Sequence, residues 1–141
     1  MKRKQSILVP LDGSATALRA LEHACRRVHD GESASITGLN VQAPMPPSRL
    51  VTRGMIADHQ ARESRTALRG ARALAKRLRI PVEWQVVVGA PAPTIARFAR
   101  EHGCVEIVMG TRGLGRLPGF VLGSTAMRVV QLAEVPVTLV K

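Results

Sequence analysis

The stretch V-E-I-V-M-G-T-R-G, residues 105–113, decides the fold, together with the Gly123-Ser124 pair that follows it. An apolar run ends at Gly110, the glycines follow the spacing G-x2-G-x9-G-S, and a helical pattern then runs over residues 124–133. A strand, a glycine-rich loop and a helix start in this order are typical of an anion site. Glycines let the backbone approach a phosphate and adopt positive φ. The first N–H groups of the helix then point at the negative charge.

The spacing excludes two other phosphate loops. The chain has no G-x4-G-K-[ST] segment, so it offers no Walker lysine to the phosphates. The dinucleotide fingerprint G-x-G-x-x-G is also missing after the first apolar run. Cations beside this loop would therefore be Arg112 and Arg116.

Apolar runs alternate with helical patterns along the rest of the chain. Strands are predicted at 7–11, 35–41, 82–88, 105–109 and 137–140. Helices are predicted after the Asp12-Gly13-Ser14 turn, over about 55–78, over 91–102 and over 124–133. Alternation of this kind predicts an α/β protein with a parallel sheet and right-handed crossovers. The third strand alternates apolar and polar residues, so we expect it at a sheet edge. Neither repeats nor a linker interrupt residues 1–141, which predicts one domain.

Composition bounds the function classes. No run of about 18 apolar residues and no signal-peptide core is present, so we expect a cytoplasmic protein without a membrane span. Cys25 and Cys104 lack CxxC spacing and are expected to be buried, reduced thiols. No cluster of histidine, cysteine and acidic residues has the spacing of metal ligands.

The net charge of +11, from 21 lysines and arginines against 10 acidic residues, favours anionic partners. On the second helix, cations recur at steps of three and four residues: Arg62, Arg65, Arg69, Arg72, Lys76 and Arg79. This row is either a solvated helix face or an electrostatic footprint for an acidic partner. Only three aromatic residues are available for stacking on bases. Nucleic-acid binding is therefore expected to be at most weak and non-specific.

At these residues the chain resembles the universal stress proteins, in particular their nucleotide-binding branch. The likeness rests on I-L-V-P-L-D-G-S at 7–14, G-A-P at 89–91, I-V-M-G-T-R-G at 107–113, Gly123-Ser124, and V-P-V-T-L-V at 135–140. Val105 departs from the usual Asp, and Asn40 from the His of many members. The resemblance implies an open, doubly wound five-stranded parallel sheet of order 3-2-1-4-5. It also implies helices on both faces and an adenine nucleotide alpha hydrolase-like fold.

A crevice is then expected between the carboxyl ends of the first and fourth strands. Asp12 is a turn former with Gly13-Ser14 or an N-cap of the first helix, and equally a ligand for the ribose or the metal of a nucleotide. Pro10 and Leu11 would offer backbone and apolar surface to a base or sugar. Val41 is either plain core or, as the resemblance implies, the residue whose backbone meets the adenine edge.

The phosphate side follows from the glycine spacing. Gly110 and Gly113 either serve turn chemistry alone or open a phosphate loop, and Ser124 is expected to be a natural N-cap of the fourth helix. The candidate phosphate-side residues are Met109, Gly110, Thr111, Arg112, Gly113, Gly115, Arg116, Gly123, Ser124 and Thr125. The implied cofactors are ATP and Mg²⁺, with Asp12 reaching the metal through the nucleotide.

No pairing of nucleophile and base can be argued from the spacing, so no catalytic residue is assigned. The leading hypothesis is a regulatory ATP-binding protein of the stress response with little or no hydrolysis. A slow ATPase and a basic nucleic-acid-binding module are the alternatives. The apolar, β-branched segment Val135–Lys141 predicts a homodimer, because an exposed edge strand is usually covered or paired.

Overall fold

The structure, a computed structural model, describes residues 5–113 and 121–141. The strands are β1 Gln5–Pro10, β2 Ala34–Gln42, β3 Val82–Val88, β4 Cys104–Gly110 and β5 Val137–Val140. The helices are α1 Ala15–His29, α2 Arg53–Leu78, α3 Pro91–Glu101 and α4 Ser124–Leu132. The strands form one parallel sheet of order β3-β2-β1-β4-β5, which confirms the predicted order.

Each face of the sheet carries its own hydrophobic core. Alternate residues of β1 point to opposite faces, so Ile7 and Val9 pack under α1 and α2, while Leu8 packs under α3 and α4. The central strands are buried on both faces, as a doubly wound sheet requires. This arrangement directs the carboxyl ends of all strands to one side of the molecule.

Local capping sets the helix boundaries. Helix α2 begins two residues earlier than predicted, because the Thr52 hydroxyl accepts a hydrogen bond from Met55 N–H at 3.2 Å. It ends at Arg79, which takes the left-handed conformation with φ of 58°. Helix α3 starts with proline at its first position, where no N–H is needed.

A charged network ties α1 to the strands on its flank. Arg27 of α1 donates two hydrogen bonds to the carboxylate of Glu106 on β4, at 2.7 and 2.9 Å. Thr138 of β5 donates to the same carboxylate at 2.9 Å. The hydrogen bonds from Arg27 hold the pKa of Glu106 below its usual value. The network therefore helps to fix the edge strand β5.

Neither thiol is activated. Cys25 and Cys104 are both buried and free. Burial, reinforced by the Glu22 carboxylate, raises the pKa of Cys25 to about 11, and burial also raises the pKa of Cys104. In the part of the chain that the structure describes, no helix has the length and apolar character needed to cross a membrane.

Candidate functional site

A cavity of about 360 Å³ opens where the carboxyl ends of β1 and β4 meet. Its volume lies in the range of about 300–1,000 Å³ that is usual for small-molecule sites. The structure brings to it all the predicted site residues that it describes: Pro10, Leu11, Asp12, Val41, Met109, Gly110, Thr111, Arg112, Gly113, Gly123, Ser124 and Thr125. Gly115 and Arg116, also predicted, lie outside the described residues.

Several lining residues were not predicted. They are Ser14, Ala17, Leu39, Pro91, Ile95 and Ala126. Pro91 and Ile95 come from α3, an element that the strand-end argument did not consider. The Gly89-Ala90-Pro91 turn was the available signal, since it places the start of α3 at the same carboxyl side of the sheet.

Asp12 closes the turn after β1 and faces the opposite loop. Its Oδ1 accepts a hydrogen bond from Ser14 N–H at 2.9 Å. Of the two structural roles predicted for Asp12, turn former and N-cap, the structure therefore shows the turn former. The N-cap of α1 is Ser14, whose hydroxyl accepts from Ala17 N–H at 3.2 Å. The other oxygen, Oδ2, lies close to Gly113. A Cβ added to Gly113 would stand 3.2 Å from this oxygen. One carboxylate oxygen thus faces the loop across the crevice.

The glycines of the signature are required by close contacts rather than by positive φ. None of Gly110, Gly113 and Gly123 has a positive φ, contrary to the conformational freedom expected for the loop. A Cβ on Gly110 would lie 2.7 Å from Thr16 C and 2.8 Å from Ala17 N, inside the first turn of α1. A Cβ on Gly123 would lie 3.2 Å from Thr111 O. Glycine therefore permits both ends of the loop to approach their neighbours closely.

The start of α4 presents its amide groups to the cavity. The predicted N-cap, Ser124, is wrong by one residue: Gly123 is the cap, because its carbonyl accepts the first helical bond, from Met127 N–H at 2.9 Å. The N–H groups of Ser124, Thr125 and Ala126 precede that bond and have no acceptor within the helix. All three residues line the cavity. Their partial positive charge is available to an anion there.

The side of the crevice where β4 ends is tied to neighbouring elements by hydrogen bonds. Thr111 N–H donates to Val140 O at 2.9 Å, and Thr111 O accepts from Gly123 N–H at 2.6 Å. The hydroxyl of Thr16, at the start of α1, donates to the carbonyl of Arg112. These bonds fix residues 111–113 against α1, α4 and β5. The site is therefore preorganised on the side where β4 ends.

A second hydrogen-bonded chain supports the apolar side. Buried Asn40 donates through Nδ2 to Leu11 O at 2.7 Å and accepts from Gln42 Nε2 at 2.8 Å. Leu11 N–H donates to Leu39 O at 2.8 Å. Asn40 thus fixes the carbonyl of Leu11 at the cavity wall. This is the position at which many members of the family that the sequence resembles have His. The half-buried Val41 lies next to it in β2.

Metal ligands are scarce near the cavity. Among residues 5–113 and 121–141, no three His, Cys, Asp or Glu side chains are grouped in a way that could hold a metal ion. Asp12 is the only acidic residue among the described residues that line the cavity. A divalent cation would therefore need most of its oxygen ligands from a bound phosphate chain and from water, as Mg²⁺ commonly does.

The family model for the universal stress protein family matches residues 4–141. The chain belongs to the universal stress protein family. A universal stress protein of Methanocaldococcus jannaschii is 31% identical over 140 residues, which cover 97% of this chain and 82% of that protein. The structure of UspA from Lactobacillus plantarum matches with a TM-score of 0.80 and 25% identity, over 100% of both chains.

A universal stress protein solved in complex with cAMP is a further relative. It is 27% identical, has a TM-score of 0.73, and is matched over 99% of both chains. These likenesses agree with the sheet order and confirm the adenine nucleotide alpha hydrolase-like fold expected of a universal stress protein. The resemblance to the family inferred from the sequence is thereby confirmed.

Proposed function

We propose that this universal stress protein binds ATP, together with Mg²⁺, in the crevice between β1 and β4 and acts as a regulatory protein of the stress response. One observation carries the proposal. The first-turn N–H groups of α4, which have no acceptor within the helix, converge with the carboxylate of Asp12 and an apolar wall on one cavity of about 360 Å³. The relative solved with cAMP supports an adenine nucleotide as the ligand class.

The apolar wall fits the base and sugar. Val41 of β2 and Ile95 of α3 both line the cavity, as does Leu11. The main chain of Val41 offers the hydrogen-bonding groups that would distinguish an adenine edge, while the side chains cover its faces. Asn40 holds the Leu11 carbonyl in place, so this wall does not need to rearrange on binding.

The glycine-lined side fits the phosphates. Amides of the first turn of α4 would donate to the phosphate oxygens, and the hydroxyls of Ser124 and Thr125 stand exposed beside them. Arg112 also lines the cavity and adds positive charge. Mg²⁺ would bind between the phosphates and Asp12, and would supply charge neutralisation there.

The residues do not favour rapid hydrolysis. A phosphoryl-transfer site needs charge stabilisers and a group that orients the attacking water. The cavity supplies the former through α4 and Arg112. Asp12, the one acidic residue among the described residues that line it, already accepts a hydrogen bond from Ser14 N–H. A slow ATPase remains the second candidate function.

We further propose a cytoplasmic homodimer formed through β5. Within the described residues, β5 pairs with β4 alone, and Leu139 is 37% exposed. Met127 and Val130 of α4 add exposed apolar surface. Pairing two copies of this edge about a two-fold axis would cover both strands and close the assembly.

Calorimetric titration of the purified protein with Mg-ATP tests the nucleotide site. We expect a Kd of about 1 µM or weaker, and at least about tenfold weaker binding, 1.4 kcal/mol, for Gly123→Val. The new Cβ would stand 3.2 Å from Thr111 O. The valine side chain would also narrow the space at the start of α4 where the phosphates are proposed to bind. Gly54→Val is the matched control, because its Cβ would meet nothing nearer than 3.8 Å. Unchanged affinity in Gly123→Val would show that the phosphates do not lie at the start of α4.

A further inference from the structure

Outside the nucleotide site, a surface at the opposite edge of the sheet combines three features. They are a row of cations on α2, two exposed valines on β3, and main-chain groups of β3 that face away from the sheet. In the described part of the chain, β3 pairs with β2 only. We call this surface the β3 groove, bounded by Arg62–Arg72 of α2 and Trp84–Val88 of β3.

The position of Arg72 shows which way the cations face. Its guanidinium lies 5.2 Å from the centre of the Trp84 ring on β3, so this side of α2 borders the open edge. Arg65 and Arg69 lie seven and three residues before Arg72 in the helix, and therefore on the same side. Both are exposed, and neither forms a salt bridge with the described residues.

The geometry of the crossover places these arginines beside the exposed valines. Helix α2 connects two parallel strands and therefore runs opposite to β3. Trp84 and Val88 are about 13 Å apart along the strand, which corresponds to about nine residues of helix. Counting back from Arg72 brings the segment around Arg62 and Arg65 level with Val88. Asp58 lies one turn further toward the helix start and ends the basic row.

The valines form the apolar floor of the groove. Trp84 packs on the α2 face of the sheet. Val86 and Val88 lie two and four residues after Trp84 in the same strand, so their side chains point to that same face. Val86 is 45% exposed and Val88 51% exposed, although both belong to a strand. Helix α2 therefore runs beside these two valines without covering them.

The open edge also offers hydrogen-bonding groups in register. Gly89 N–H donates to Gln42 O of β2 at 2.9 Å, so the main-chain groups of Gly89 point into the sheet. Because these groups alternate along a strand, those of Val86 and Val88 point outward. They are positioned to pair with an added strand.

We propose that the β3 groove binds an extended acidic segment of a partner protein, which adds to the sheet as a strand beside β3. Its acidic side chains would meet the arginines of α2, and its apolar side chains would rest on Val86 and Val88. The charge of the protein, +11, would speed the encounter. Nucleic acid fits this surface less well, since the valines offer a base no stacking ring and the Trp84 ring is already faced by the Arg72 guanidinium.

The test uses a peptide of about eight residues, a common strand length, in which threonine occupies every second position and glutamate and valine alternate at the others. Glutamate and valine then share one face of the added strand, as the proposal requires. Trp84 is the only tryptophan, so its fluorescence reports occupancy of the groove on the intact protein. At about 0.15 M salt, where the screening length is about 8 Å, we expect saturable binding to the wild type. The double variant Arg65→Glu, Arg69→Glu should bind about tenfold more weakly, because each attraction becomes a repulsion.

The matched control is Arg97→Glu, Arg128→Glu, which changes the net charge equally on α3 and α4, across the sheet. It should bind like the wild type. Equal weakening in both double variants, or no binding to the wild type at millimolar peptide, would contradict the proposal.

Strand addition is tested on the peptide, so that protein folding is not disturbed. One peptide carries N-methyl groups on its glutamate and valine amides, and a second on its threonine amides. Because alternate amides face the same side of a strand, one version should lose binding and the other should keep it. If both bind like the parent peptide, no strand is added. If single-stranded DNA displaces the peptide and binds more tightly at this salt concentration, the groove is a nucleic-acid site and the proposal is wrong.

Discussion

Gly110, at the end of β4, lies against the first turn of α1, so Gly110→Ala is the sharpest test of how the site is assembled. The new methyl group would stand 2.5 Å from Thr16 Oγ1, 2.7 Å from Thr16 C and 2.8 Å from Ala17 N. Favourable carbon contacts occur at about 3.5–4.0 Å. The Thr16 side chain can rotate, but the two backbone atoms move only if the first turn of α1 moves.

The expected cost follows from that displacement. Overpacking of a rigid core typically costs about 1–3 kcal/mol, and here backbone atoms must shift, so we expect about 2–3 kcal/mol. For a protein of this length, that corresponds to a loss of roughly 4–10 °C in Tm. Movement of Thr16 would also weaken its hydrogen bond to Arg112 O, so ATP should bind less tightly.

Urea unfolding, followed by far-UV circular dichroism and by Trp84 fluorescence, measures the effect. The control is Gly54→Ala in the first turn of α2, where the nearest atom would be Thr52 Oγ1 at 3.8 Å. It should be neutral or stabilising by up to about 1 kcal/mol, because alanine favours the helix. A Gly110→Ala protein within about 0.5 kcal/mol of the wild type would refute the close-approach argument, since surface changes alone stay in that range.

Three further outcomes are expected. Glu106→Gln should destabilise the protein by about 1–2 kcal/mol at neutral pH, because Arg27 loses a charged acceptor. The pKa of Glu106 is lowered on folding, so its stabilisation is complete above its unfolded pKa and is lost as pH falls through the folded pKa. Urea midpoints of the two proteins should therefore converge in acid, and a constant difference would exclude this mechanism. Fresh protein should hydrolyse ATP at well under about 1 s⁻¹, below ordinary enzymes; turnover of tens per second in a phosphate-release assay would overturn the regulatory interpretation. Leu139→Arg should convert the proposed dimer into a monomer by light scattering, whereas a wild-type monomer at tens of micromolar would rule out pairing through β5.

The sequence predicted the fold well because its patterns act locally. The five strands were predicted from the pattern, since buried parallel strands read as short apolar runs bounded by turns. The order of the strands in the sheet was predicted from the resemblance to the universal stress proteins and not from the pattern. Boundaries shifted where one capping residue decided them. Thr52 extended α2, and Gly123 replaced Ser124 as the cap of α4.

Most of the described residues that line the candidate cavity were predicted from the sequence, whereas the structural roles of several were not. Glycine spacing located the loop, but pattern alone could not show that Gly110 serves the approach of α1 instead of a positive φ. Contacts between residues far apart in the chain leave no recognisable pattern in the sequence, so they could not be predicted from it. The ion pair of Arg27 and Glu106 joins residues 79 positions apart. Ile95 lines the cavity from α3, a helix that was predicted but was not assigned to the site.

Titration of ¹⁵N-labelled protein with Mg-ATP, followed by NMR, tests the central claim most directly. The proposed site predicts the largest amide shifts at Ser124, Thr125 and Gly113, with smaller ones at Val41, and little change along α2. The amides of α4 should move together with one binding curve, because they would contact the same phosphate chain. Shifts confined to the arginines of α2, or no shifts at millimolar Mg-ATP, would contradict a nucleotide site between β1 and β4.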